Sequence, residues 1–173
     1  EAARQKGPAT VAIAAAHDPD VVEAMKTAEE IGLAKGIFVG NKAKISALAE
    51  QVSWKIPDDQ LVDEREESLA LRKAIGLVRD KTASLLMKGK IKTSALMHGV
   101  LDREAGLRAG RLLSQVIVFQ VPGIDRLMLM SDAAINIAPT LAQKAEICRN
   151  AIEVAHAIGI TEPKLAVLCG LEF

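Results

Sequence analysis

Aromatic side chains are nearly missing from this chain, which has no tyrosine, one tryptophan and three phenylalanines. Proteins that hold single-stranded nucleic acid stack its bases on such rings, so that partner finds no platform here. Neither sign of charge is in excess, with 22 Lys plus Arg against 22 Asp plus Glu. A balanced chain sets up no global field for a nucleic-acid backbone or an anionic bilayer. Cysteine is scarce too. Cys148 and Cys169 show no C-x-x-C spacing and no cluster of histidines around them. A zinc site or a disulfide framework therefore lacks support, and unpaired thiols suit a reducing compartment. No apolar run approaches the ~20 residues needed to span a bilayer, and no secretory leader pattern opens the sequence. The expectation is a cytoplasmic protein with no nucleic-acid, membrane or metal partner. The first residue is Glu1, not methionine, so the native N-terminus is expected to differ.

Half of the 173 residues are hydrophobic, which is enough to build a sizeable core and argues against wholesale disorder. The apolar pattern alternates between strand and helix. Thr10 to Ala16 reads as a buried strand, and His17-Asp18-Pro19-Asp20 breaks it and caps a helix carrying Val21, Met25, Ala28 and Ile31. Gly32 and Gly36 are expected to close that helix before a short strand at Ile37 to Val39. Asn41 then caps a helix with Ile45, Leu48 and Val52 inward, and Gln60 to Val62 is a further strand candidate. A charged helix is expected over 64–79, a strand over 83–87 and a helix over 94–103. Val116 to Val121 and Leu127 to Met130 flank the turn residues Pro122 to Asp125, which predicts a hairpin. A helix over 141–158 carries Ala145, Cys148, Ile152 and Ala155 on one stripe, and Leu165 to Leu168 reads as a last strand. This order predicts a layered α/β/α fold with a mostly parallel sheet. Ligands of such sheets sit beyond the carboxyl ends of the strands.

Three stretches offer chemistry. In "LMKGKIKTSALMHGV", Lys88, Lys90 and Lys92 alternate before Thr93 and Ser94, at a strand-to-helix junction. Free N–H groups and the positive end of a helix dipole bind phosphate, and lysines on alternate extended positions point the same way. Thr93 fits as the helix cap. A capped helix behind solvated lysines and an anion site both remain open on these residues alone. Neither a P-loop nor a G-x-G-x-x-G follows any strand. In "GLRAGRLLSQV", Arg108, Arg111 and Ser114 lie among glycines, so the arginines either fork onto a phosphate or line an ordinary loop. In "SDAAINIAP", Asp132 and Asn136 sit in apolar surroundings and need partners, which are backbone or substrate. His98 and His156 fall mid-helix, and His17 follows a strand beside Asp18. Cys148 reads as a small core residue, and Cys169 follows a strand with no neighbour that would lower its pKa.

Taken as one run, "LLMKGKIKTSALMHGVLDREAGLRAGRLLSQVIVFQVPGIDRLMLMSDAAINIAPTLAQKAEICRNAIEVAHAIGI" resembles the phosphate acetyl/butyryltransferase family, in its phosphate butyryltransferase branch. "VAIAAAHDPDVVEA" and "GIFVGNKAKI" match the first strand-helix-strand unit of that family, so the resemblance covers nearly the whole chain. The resemblance implies a two-domain α/β architecture like that of isocitrate and isopropylmalate dehydrogenases, with the site in a cleft. It places residues 1–92 in the first domain and 93–173 in part of the second. The implied activity is exchange of a short acyl group between coenzyme A and inorganic phosphate, in a homo-oligomer. Coenzyme A is then a substrate, and no cofactor or metal is needed. Phosphate and CoA contacts carry over to Lys88, Lys90, Thr93, Ser94, Arg108 and Arg111, and catalytic roles to Ser114, Asp132 and Asn136.

Two departures stand out. Gln115 occupies the place of a histidine in the family's Ser-His-Val, and the family continues beyond the strand matched by "LAVLCGLE". The chain is therefore expected to be part of a longer protein. Acetyl specificity is the alternative within the class. An acyl-carrier-protein phosphate acyltransferase would need a basic landing patch that a balanced charge does not suggest. A catalytically incomplete CoA- or phosphate-binding fragment is the non-enzyme alternative.

Overall fold

A computed structural model describes residues 2–168. They fall into two compact units that divide between Ala109 and Gly110. The expected boundary at 92/93 lies inside the first unit, because the helix that begins at Thr93 packs on the preceding one.

The first unit runs α1 (Ala2–Gln5), β1 (Ala9–Ala14), α2 (Pro19–Glu30), β2 (Ala34–Gly40), α3 (Lys42–Gln51), a 3-10 turn (Asp58–Gln60), β3 (Leu61–Asp63), α4 (Glu67–Arg79), β4 (Leu85–Lys88) and α5 (Thr93–Val100). Its sheet is parallel throughout, in the order β3-β2-β1-β4. β1 is the centre, with Ala14 opposite Val39 on one side and Lys88 on the other.

Period-two alternation sorts β1 between two cores. Val11 and Ile13 join Val22, Met25, Phe38 and Ile45 under α2 and α3, while Ala12 and Ala14 join Ala70, Leu71, Ala74 and Ile75 under α4. Alanine on both the strand and α4 lets the helix backbone approach closely on that face. On the other face bulk is needed, and Phe38 supplies it, fully buried and edge-on to Trp54 at 5.6 Å between ring centres. The Phe38 ring lies over Gly36, where an added Cβ would sit 2.4 Å from it. Gly36 thus belongs inside β2 and does not close α2; Gly32, at φ +68°, does that.

α2 and α3 open as the sequence predicts, with Asp18 Oδ1 accepting from the N–H groups of Asp20 and Val21 and Asn41 accepting from Lys44. α5 does not. Lys92 holds the cap position, Thr93 is already helical, and no side chain caps the helix. A residue with helical backbone cannot turn its hydroxyl onto the N–H groups two and three positions ahead, so the expected Thr93 cap is replaced by open N–H groups.

The second unit holds β5 (Ile117–Gln120), β6 (Leu127–Met130) and α6 (Leu141–Ala157). β5 and β6 form the predicted antiparallel hairpin, from Ile117 opposite Met130 to Gln120 opposite Leu127. Thr140 and Gln143 close a reciprocal capping box at the start of α6. The inward stripe of α6 is displaced from the expected one: Ile147 and Ala155 are buried, Cys148 is half-buried and Ala145 is exposed. Residues 165–168 are not a strand; Val167 and Leu168 stand 72% and 88% exposed, and among the described residues no neighbouring strand completes their ladder. Cys169 lies outside the described residues. Among the described residues no helix is long and apolar enough to cross a membrane.

Candidate functional site

The topology of the first unit singles out one place. After β1 the chain moves outward to β2 and β3, then returns across the sheet through α4 to lay β4 on the opposite side of β1. The strand order reverses between β1 and β4, and beyond their carboxyl ends a crevice opens. A shallow cavity of about 370 Å³ occupies it. Asp18 lines it from the end of β1, Glu67 from the start of α4, and Lys88, Lys90 and Lys92 from the segment after β4.

The loop is held by its backbone. Gly89 N–H donates to Ala14 O and Lys90 N–H to Ala15 O, both at 2.9 Å. Contact is so close that a Cβ on Gly89 would meet Ala15 O at 2.3 Å. Lys88 folds back, its ammonium donating to Ile91 O at 3.0 Å and to Gly89 O at 3.3 Å. Lys90 and Lys92 are exposed. Among the described residues none of the three lysines lies within ion-pair distance of a carboxylate. Asp18 lines the cavity but spends Oδ1 on its helix cap. Leu96 is the first residue of α5 whose N–H finds a helical acceptor, Lys92 O at 3.1 Å, so the N–H groups of Thr93, Ser94 and Ala95 begin the helix unpaired. Lysines beside a helix N-terminus are a grouping to which anions are attracted in general. The structure brings Lys88, Lys90 and Lys92 to one cavity, with Thr93 and Ser94, both exposed, on the turn that follows.

Arg108 is exposed and has no ion-pair partner among the described residues. Arg111 is committed. Its guanidinium forks onto Glu153 of α6, Nη1 to Oε2 at 3.0 Å and Nη2 to Oε1 at 2.9 Å. That bidentate pair holds the Glu153 carboxyl below its ordinary range. Nη2 also donates to Asn150 Oδ1 at 2.9 Å. Asn150 in turn donates from Nδ2 to Leu112 O at 3.0 Å and to Ser114 Oγ at 2.8 Å. Ser114 and Asn150 are half-buried, and both line an apolar groove of about 360 Å³ with Leu112, Leu113, Val116 and Val154.

Asp132 and Asn136 answer one another. Asn136 Nδ2 donates to Asp132 Oδ2 at 2.5 Å and to Leu113 O at 2.9 Å, while Asp132 Oδ1 accepts from the N–H groups of Ala134 and Ile135. Burial pushes the Asp132 carboxyl up, but hydrogen bonds from Ile135, Asn136, Ala134 and Gln115 together outweigh it and leave the group below its ordinary range. These two residues fasten the 131–136 loop to the segment before β5. Ser131 adds a bond to Gln115 O at 2.6 Å.

Asn150 and Glu153 were not legible as site residues. Both sit in an amphipathic helix among many polar residues, and no spacing relates them to Arg111 or Ser114, some 40 positions earlier.

Residues 67–173 match the family model described as "Phosphate acetyl/butaryl transferase". The chain is 40% identical over 162 residues to a phosphate butyryltransferase of Clostridium beijerinckii, covering 94% of this chain and 54% of that protein. A phosphate acetyltransferase of Thermotoga maritima is 36% identical, over 99% of this chain and 58% of its own length. A branched-chain phosphotransacylase from Enterococcus faecalis superposes with a TM-score of 0.71 at 27% identity, covering 94% of this chain and 56% of the other. The chain spans about half the length of the curated relatives it matches. Its parallel sheet and this match over more than half its residues agree, and the chain belongs to the phosphate acetyl/butyryltransferase family.

Proposed function

We propose that the protein exchanges a short acyl group between coenzyme A and inorganic phosphate, butyryl-CoA and phosphate giving butyryl phosphate and free CoA. The observation that carries this reading is the switch-point cavity, where three lysines without carboxylate partners among the described residues stand beside the open N-terminus of α5. Phosphate is a dianion near neutral pH, and it attacks the thioester carbonyl only when its charge is gathered and oriented. Lys90, Lys92 and the α5 N–H groups supply that field, while Lys88 shapes the loop that carries them. As the carbonyl oxygen takes on charge, a fixed donor stabilises it, and Ser114 is the candidate. Asp132 and Asn136 serve by holding the loop beside it. Arg108 is free to meet a phosphate of CoA. Acyl exchange between a thioester and phosphate changes no oxidation state, so CoA enters as substrate and no redox cofactor is required. The names of the butyryltransferase relatives favour butyryl, and the acetyltransferase names keep acetyl-CoA as the second reading. A cytoplasmic homo-oligomer is part of the proposal.

CoA released from butyryl-CoA by the full-length gene product, followed with a thiol reagent, tests it. Phosphate-dependent release, faster with butyryl-CoA than with acetyl-CoA, is expected. Binding of CoA with no phosphate-dependent release from either thioester would leave a binding protein.

A further inference from the structure

We propose that Asn150 is a positioning residue which, held by the Arg111–Glu153 pair, sets the Ser114 hydroxyl as a hydrogen-bond donor toward the ligand. This rests on the acyl-transfer reading and adds to it a relay of side chains reaching Ser114. Glu153 fixes the guanidinium of Arg111 with two bonds. A guanidinium only donates, so the Asn150 atom facing Nη2 at 2.9 Å is the amide oxygen. That places the amide NH₂ toward Leu112 O and Ser114 Oγ, at 3.0 and 2.8 Å. The opposite amide orientation would set donor against donor at Arg111 and oxygen against oxygen at Leu112. All of the Asn150 amide's hydrogen-bonding groups are thereby used in one orientation.

Ser114 inherits the consequence. Its Oγ accepts from Asn150, so its own hydrogen cannot point there, and among the described residues no acceptor takes it. The hydroxyl is thus committed as acceptor on the protein side and left as donor on the other. A donor of fixed direction suits an oxygen that gains negative charge during reaction, on the thioester carbonyl or on phosphate. A serine without Asn150 rotates freely and points its hydrogen at whatever acceptor is nearest.

The test is a double-mutant cycle on kcat in the full-length gene product. Asn150→Asp keeps the size and the bond to Arg111 but turns the donor at Oγ into an acceptor, drawing the serine hydrogen away from the ligand. Ser114→Ala is expected to lower kcat about a hundredfold, the usual order for one such donor. Asn150→Asp should lower kcat comparably with little change in KM, and should cost almost nothing further when Ser114 is already alanine. Additive losses in the double variant would give Asn150 a structural role only and overturn the proposal. A Ser114→Ala enzyme with unchanged kcat would overturn it as well, while leaving acyl transfer intact. If Asn150→Asp misfolds, Asn150→Ser and Glu153→Gln replace it in the same cycle. Absence of activity in the unsubstituted protein would instead remove the acyl-transfer reading, and this role with it.

Discussion

The Lys88 ammonium donates to the carbonyl of Ile91, three residues ahead, at 3.0 Å. A lysine that closes its own loop differs from one left free for a ligand, so the three lysines of the cavity separate by experiment. Lys90→Met and Lys92→Met should leave the melting temperature nearly unchanged and raise the apparent KM for phosphate. One charged donor to phosphate is worth about 1.5–3 kcal/mol, or roughly ten- to a hundredfold. Lys88→Met should lower the melting temperature as well, because two carbonyls of the turn lose their donor. Wild-type phosphate saturation in both the Lys90 and the Lys92 variant would reduce these side chains to a solvated turn.

Thr93 separates a cap from a ligand contact. Loss of a true N-cap costs about 1 kcal/mol, but Thr93 makes no capping bond and Lys92 occupies that position. Thr93→Ala should therefore change stability by no more than about 0.5 kcal/mol, the ordinary range for a surface substitution. Denaturant unfolding reads this directly. Any loss of phosphate affinity in the same variant then belongs to ligand contact.

Two glycines should respond in opposite directions. Gly89→Ala drives a methyl group to 2.3 Å from Ala15 O, against backbone that cannot yield cheaply. Overpacking of that kind costs about 1–3 kcal/mol or more, and the cavity loop should be displaced with it. Gly76 lies within α4 with nothing within 4 Å of an added Cβ. Gly76→Ala should stabilise by about 0.5–1 kcal/mol through helix propensity. Paired thermal melts decide both, and a silent Gly89→Ala would mean that the loop does not cross β1 as closely as described.

Acid should loosen the second unit. The bidentate bond from Arg111 lowers the Glu153 carboxyl, and the hydrogen bonds around Asp132 outweigh its burial and lower that group too. A carboxyl with a depressed folded pKa contributes stability above its unfolded pKa, about 4.3 for Glu and 3.9 for Asp. That contribution disappears as pH falls through the folded value. Melting temperatures should hold steady from neutral pH to about 5 and fall below about 4. Glu153→Gln should flatten part of that acid slope. An unchanged slope would mean that the exposed pair contributes nothing measurable, as many surface ion pairs do.

Local pattern was enough for most elements, because their signals lie within a turn or two of chain. A short apolar run marked β1, Asp18 and Asn41 marked helix starts, and Pro122–Gly123 marked the hairpin. The lysine junction was legible as a strand end followed by a helix. Where several local conformations are compatible with the same residues, the sequence gives no decision. Thr93 reads as a cap, yet the chain places Lys92 there. Leu165 to Leu168 reads as a strand, but a strand exists only when another chain segment offers a ladder, and none does among the described residues.

The sequence by itself determined the layered α/β class, the family and the gathering of lysines after β4, since each rests on local segments and their order along the chain. Tertiary structure alone decided which polar groups are spent and which are free. It turned Lys88 back onto its loop, closed Arg111 onto Glu153, and tied Asp132 to Asn136. It also joined Asn150 to Ser114 across 36 positions. A hydrogen bond depends on distance and direction in space, and no one-dimensional spacing encodes those between segments so far apart.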